Sequence, residues 1–179
     1  MGKNWVKIGT VRIRNIPEYI LNSTVERSDA SKHVDVESDS DDFWYERGQS
    51  TLKTFTGSKA ETYFNTLNLP KFEYTNVSLL SIMEEHPWHT DKNRCCAINI
   101  AIKNGNTCRV EFDDGPGFIM EDGDIYCIDV TKEHRVVPIT ELEAPRMVLS
   151  ITLQNPIEHP LTQKTINKIR AVLRLVGRG

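Results

Sequence analysis

The residues with the plainest chemical potential are His89 and Asp91, separated only by Thr90. On an extended chain, side chains two positions apart point the same way. An imidazole and a carboxylate in this pattern can therefore reach one metal ion together. A second histidine from an adjoining strand would complete a set of two nitrogens and one oxygen. That set holds a divalent iron from one side and leaves positions open opposite, the arrangement that O2-dependent oxidation needs. His134 is the candidate, with three strand-like segments between it and Asp91. Arg146 follows and opens the apolar run RMVLSITL. A buried arginine can grip a carboxylate through two parallel hydrogen bonds. Arg146, Val148, Ser150 and Thr152 share one strand face, so Ser150 is placed to add a hydroxyl beside that carboxylate.

A rival pair exists at His33-Val34-Asp35, but it lies in a Ser/Asp-rich stretch and not beside an apolar strand. A loop of that kind is a poor place to preorganise a metal. Around the stronger pair, Asn99 is expected on the small-residue face of RCCAINIAI, with Cys95, Ala97 and Ala101. There it would hydrogen-bond a co-substrate or substrate. Arg94 and Trp88 are the candidate substrate contacts, and Ser81 and Tyr74 are placed to reach the co-substrate from the preceding strand. His86 and His159 lie near prolines and are expected to be exposed. Cys95, Cys96, Cys108 and Cys127 form no CxxC pair, so they are expected as reduced core thiols in a cytoplasmic protein.

These groups need a scaffold, and the middle of the chain supplies one. Tyr74–Met83, Arg94–Ile102, Thr107–Phe112, Ile125–Val130 and Arg146–Leu153 are β-rich runs. Asn104-Gly105-Asn106, Asp113–Gly117 and Gly123-Asp124 punctuate them as turns or breakers. Many short strands at such spacing predict an all-β sandwich or barrel, the class that contains jelly rolls. Val6–Ile13 alternates as a further strand, Asn15–Val25 suits a short helix or bridge, and Ser58–Thr66 a short helix. Residues 28–42 read as a flexible acidic loop, which as a lid would favour a basic peptide or amine substrate. Residues 162–176 read as a C-terminal helix with Thr162 as N-cap and Gly177 past its end. Its outer face is basic, through Lys164, Lys168, Arg170 and Arg174.

The set His89-x-Asp91, then His134, then Arg146 resembles the 2-oxoglutarate and iron(II)-dependent oxygenases over about residues 74–153. The segment HTDKNRCCAINIAI is similar to small stand-alone prolyl- or aspartyl-hydroxylase-like members of bacteria and their viruses. The resemblance implies a double-stranded β-helix core with flanking helices. It implies Fe(II) held by His89, Asp91 and His134, with 2-oxoglutarate bound through Arg146 and O2 as oxidant. It also implies a hydroxylase that couples substrate oxidation to release of succinate and CO2. An arginine at this place resembles the hypoxia-sensor-type prolyl hydroxylases and the aspartyl/asparaginyl hydroxylases. Asp91 departs from the latter, which often lack the metal carboxylate.

Alternatives are a non-catalytic, cupin-like barrel that binds a metal or small molecule, and a metalloenzyme in which Arg146 only forms a structural ion pair. The usual cupin pattern, HxH with a nearby Glu, is not the one present. At 179 residues the chain is expected to be a single domain (1–179). A net charge of −3 offers no global field for nucleic acid. The opening MGKNWVKIGTVRIRN has no signal-like apolar run, and no stretch is long and apolar enough to be read as a membrane span. A cytoplasmic location is expected. The co-substrate is small, and the substrate class (peptide, amino acid or nucleotide) stays open.

Overall fold

The computed structural model describes residues 4–18, 44–46, 52–56, 58–67, 74–91 and 96–153, and Asn167. Among these, eleven strands make two antiparallel sheets. The strands are β1 (Trp5–Thr10), β2 (Trp44–Glu46), β3 (Leu52–Thr56), β4 (Tyr74–Ile82), β5 (His86–His89) and β6 (Cys96–Lys103). There follow β7 (Cys108–Phe112), β8 (Gly115–Ile119), β9 (Asp124–Asp129), β10 (His134–Pro138) and β11 (Arg146–Leu153). Helix α1 (Ser58–Thr66) precedes β4.

The seven-stranded sheet runs β1-β9-β6-β11-β4-β3-β2, and the four-stranded sheet runs β5-β10-β7-β8. From β4 to β11 the chain crosses from one sheet to the other at every connection except the β7–β8 hairpin. That alternation winds the chain into a double-stranded β-helix, the jelly-roll core expected from the strand spacing. β1 extends one edge of the larger sheet, and β2 and β3 extend the other.

Strand alternation separates two cores. Met147, Leu149 and Ile151 point out of the roll with Ile98, Ile100, Ile102 and Cys127, and are covered by Ala60, Tyr63 and Phe64 of α1. Val148 points into the roll with Ala97, Ala101, Tyr126 and Ile128, and meets Cys108, Val110, Phe112, Phe118 and Val136 of the smaller sheet. Tyr63 anchors α1 by donating its hydroxyl to Arg14 O at 2.7 Å. Val11 N donates to Gly123 O at 2.8 Å and ties the N-terminal segment to the turn before β9. Gly123 has φ +92°, and a Cβ there would run into Val11 O, so the turn admits only glycine comfortably.

Two expectations needed correction. Asp113–Gly117 was expected as a breaker, yet Gly115–Ile119 forms β8. It sits at the edge of its sheet, where the missing N–H of Pro116 breaks no ladder. The short strands β5 and β10 have no counterpart in the sequence reading. The turn at Asn104 does form, with Asn104 left-handed (φ 55°) before a 3-10 turn at Gly105–Thr107. Cys96, Cys108 and Cys127 are free and buried. Cys96 Sγ lies 2.7 Å from Cys127 Sγ on the outer face, and that neighbour together with burial pushes the Cys127 thiol well up. Among the described residues no helix is long and apolar enough to cross a membrane. The acidic loop 28–42, the pair His33/Asp35, Arg94, Cys95, His159 and nearly all of the helix at 162–176 lie outside the described residues.

Candidate metal centre

The site begins with strand pairing. β10 pairs with β5 so that His134 stands opposite His89, and Val136 stands opposite His86. Between those two pairings β10 advances two residues and β5 advances three, so β5 carries a bulge. The extra residue has a consequence for side-chain direction. In a regular strand, residues 86 and 89 would face opposite ways. The bulge returns both imidazoles to the inward face.

The ring centroids of His89 and His134 are 4.3 Å apart, and those of His86 and His89 are 4.2 Å apart. Phe112 closes the inner side, its ring centroid 6.0 Å from that of His134. Each of the paired histidines is oriented by its own backbone. His89 Nδ1 donates to Pro87 O and His134 Nδ1 donates to Lys132 O, both at 2.8 Å. A carbonyl only accepts, so the proton sits on Nδ1 and Nε2 is the unprotonated nitrogen of each ring. Metal-ligating histidines are commonly oriented in this way.

Asp91 is fixed by its backbone, whose N donates to Val130 O at 2.9 Å. Its Oδ1 lies 4.0 Å from His89 Nε2. Donors in cis positions around one ion, each ~2.1 Å from it, are ~3 Å apart. As they stand, no three His, Cys, Asp or Glu side chains among the described residues are close enough to hold a metal ion. For His89 and Asp91 the separation exceeds that spacing by about 1 Å, within the range of a side-chain rotation at a residue whose side chain is 22% exposed. The donor set therefore fits a divalent iron in type, and strand pairing sets His134 opposite His89, but the side chains do not stand at coordinating distance.

His86 was expected to be exposed. It is half-buried instead, and burial pushes its imidazole down to about 4, with His89 and His134 adding in the same direction and Asp91 opposing. Sequence periodicity could not find it, because only the bulge brings it to this face.

The interior carries a second group of polar side chains. On the inward face of the larger sheet Tyr126, Asn99, Ser150 and Ser78 are register partners across β9, β6, β11 and β4. Asn99 Oδ1 is buried and has no hydrogen-bond partner. Arg146 is 4% exposed. Its Nη2 donates to Met120 Sδ at 3.5 Å, while its Nε is buried and unpartnered. Burial lowers the arginine below its ordinary range, and Cys108 and Asp122 offset this in part. Among the described residues no carboxylate forms a salt bridge with Arg146, which argues against a purely structural ion pair.

Two sequence-chosen residues face elsewhere. Trp88 is 40% exposed and lies under the guanidinium of Arg135, 4.7 Å from its ring centroid. Arg135 is held by Glu111 and Glu85 on the outer face of the smaller sheet, so Trp88 does not line the interior. Ser81 alternates with Val77 and Leu79 of the outer core, and Ser78 takes the inward place instead. Tyr74 pairs with Leu153 at the far end of β4.

No family model matches this chain, and no curated protein matches it. Solved structures do, at a distance. An oxidoreductase of the 2OG-Fe(II) oxygenase family from Burkholderia pseudomallei is 11% identical, covering 57% of this chain and 68% of its own, with a TM-score of 0.43. A cupin-2 domain protein from Shewanella frigidimarina is 18% identical, covering 52% and 91%, with a TM-score of 0.36. A conserved protein of unknown function from Streptococcus pyogenes is 10% identical, covering 84% and 96%, with a TM-score of 0.40. The double-stranded β-helix itself rests on the strand order described above.

Proposed function

We propose that the chain is an Fe(II)- and 2-oxoglutarate-dependent oxygenase, a hydroxylase whose metal is held by His89, Asp91 and His134. The observation that carries the reading is Arg146. A guanidinium buried in an apolar interior with an unpartnered Nε is costly unless an anion joins it. A dicarboxylate co-substrate supplies that anion. Its distal carboxylate would take the two parallel donors of the guanidinium, with Ser150 and Asn99 further along the same inward face. Asn99, as an amide, can turn its NH2 toward a carboxylate, since its oxygen and nitrogen exchange places by a flip.

The other residues orient and exclude. The two backbone-held imidazoles keep Nε2 facing inward, and Asp91 supplies the negative donor. Phe112, Phe118, Met120 and Val136 keep the interior dry, which strengthens the contacts of the buried cation. Bound iron with 2-oxoglutarate would supply the O2-dependent oxidation that releases succinate and CO2. The residues of the chain do the binding and the positioning.

Anaerobic titration tests this. Iron(II) and 2-oxoglutarate together are expected to produce a weak visible charge-transfer band that neither gives alone. No band, and no succinate formed in air, would refute the proposal.

A further inference from the structure

Among the described cysteines, two are neighbours. Cys96 on β6 stands opposite Asp129 of β9, and Ile98 stands opposite Cys127, so the two cysteines lie diagonally across one ladder. Alternation puts both on the outer face of the larger sheet, in the core covered by Ala60, Tyr63, Phe64 and Leu67. Their sulfurs are 2.7 Å apart, within about 1 Å of the ~2.05 Å of a covalent S–S bond. Cys108 belongs to the inner core, beside Arg146, so the larger sheet itself separates it from the pair. On their other face the same two strands set Ala97 against Ile128 and Asn99 against Tyr126, residues that look into the roll.

We propose that Cys96 and Cys127 are a modification site, which hydrogen peroxide oxidises to a disulfide that staples β6 to β9 behind the interior. The bridge is independent of any metal at the site. One thiol gives up its proton and attacks the peroxide, leaving a sulfenic acid and one water. The second thiol then displaces a second water as the S–S bond forms. Two thiols thus lose two hydrogens, and one peroxide becomes two waters. Burial sets the pace. The Cys96 neighbour and the closed surroundings push the Cys127 thiol well up. Only the thiolate attacks, so the bridge forms slowly at neutral pH and faster as pH rises. Peroxide is little larger than water and enters when the edge of this core opens locally. The same burial shields the finished bridge from bulky thiol reductants, which makes it a lasting staple. The loop it closes, of about 30 residues, takes in β7 and β8, so the staple also restricts that part of the unfolded chain.

Peptide mapping by mass spectrometry on the full chain tests this. Folded protein is treated with hydrogen peroxide, denatured, alkylated with iodoacetamide and digested with trypsin without reductant. A peptide joining Cys96 to Cys127 is expected, with Cys108 alkylated. Cys95 shares a tryptic peptide with Cys96, so the joined peptide should persist in Cys95→Ala and vanish in Cys96→Ala. It should form faster at about pH 9 than at about pH 7. The bridged protein should melt roughly 5–10 °C higher than the reduced protein. Alkylated thiols at both Cys96 and Cys127 after treatment would overturn the proposal. So would a bridge through Cys95 or Cys108, oxidation that stops at separate sulfinic acids, or a Cys96–Cys127 bridge that lowers Tm. Because the wild-type peptide map decides, the test survives a variant that folds poorly.

Discussion

Replacing Arg146 with methionine separates the two roles open to a buried cation. The side chain is 4% exposed and touches Met120, with Cys108 nearby. Methionine is also unbranched and flexible, and it removes the charge. If the arginine is there for a ligand, the ligand-free protein carries the cost of burying it. Exchanging buried ionic groups for apolar ones of similar volume is often neutral or stabilising by about 1–4 kcal/mol. The lower half of that range fits here, because the attraction of Asp122 is lost as well. For a chain of this size about 1–2 kcal/mol raises Tm by roughly 2–8 °C. The wild-type protein should behave in the opposite way toward 2-oxoglutarate. With Mn(II) present and co-substrate at about 100 times Kd, binding adds ~2.7 kcal/mol, or roughly 5–10 °C. Differential scanning fluorimetry reads both quantities. Arg146→Met should melt higher than wild type alone and fail to respond to 2-oxoglutarate. A variant that melts several degrees lower would mean that the arginine is structural. A variant that keeps the full ligand shift would mean that the carboxylate binds elsewhere.

Trp88→Ala should leave Mn(II) affinity unchanged by titration calorimetry, since the ring lies outside the roll; a large loss would return Trp88 to the site. Leu149→Ala, at a fully buried position in the outer core, should cost about 2–5 kcal/mol in urea denaturation, and a cost below about 1 kcal/mol would contradict the packing described. Burial raises the Tyr63 hydroxyl to about 12 from its ordinary value of 10.0. Unfolded chains then lose the proton first, so stability is full below pH 10 and falls as pH rises from about 10 to 12. Tyr63→Phe should flatten that part of the curve, and an unchanged alkaline decline would show that another group is responsible.

The central strands of the larger sheet, β4, β6, β9 and β11, were legible as apolar runs between turn signals, whereas the short edge strands β2 and β3 were not. CAINIAIK carries small and polar residues on one face and isoleucines on the other, which fixed both the strand and its direction. RMVLSITL did the same for Arg146 and Ser150. The smaller sheet was harder to read for physical reasons. β5 is four residues with Pro87 inside it, and β8 contains Gly115, Pro116 and Gly117. Both are edge strands, where such residues are tolerated, but in sequence they read as breakers. His86 was read as exposed because it stands beside Pro87, and one inserted residue in β5 turns it inward against both that reading and strand parity. Trp88 was drawn to the site by its nearness to His89, although adjacent residues of a strand face opposite ways. Ser81 was chosen over Ser78 because the inward parity of β4 is set by its pairing with β11, which only the register reveals.

The division of each central strand between two cores also bears on how such a protein can be altered. In β6 and β11 the side chains that pack under α1 and those that face the interior never share a position. Ala97, Asn99, Ala101, Val148 and Ser150 can be varied as a set while Ile98, Ile100, Leu149 and Ile151 are left alone. A library confined to the inward positions would sample new pocket shapes on an unchanged chassis. Selection for a new substrate would then be largely uncoupled from selection for solubility and yield.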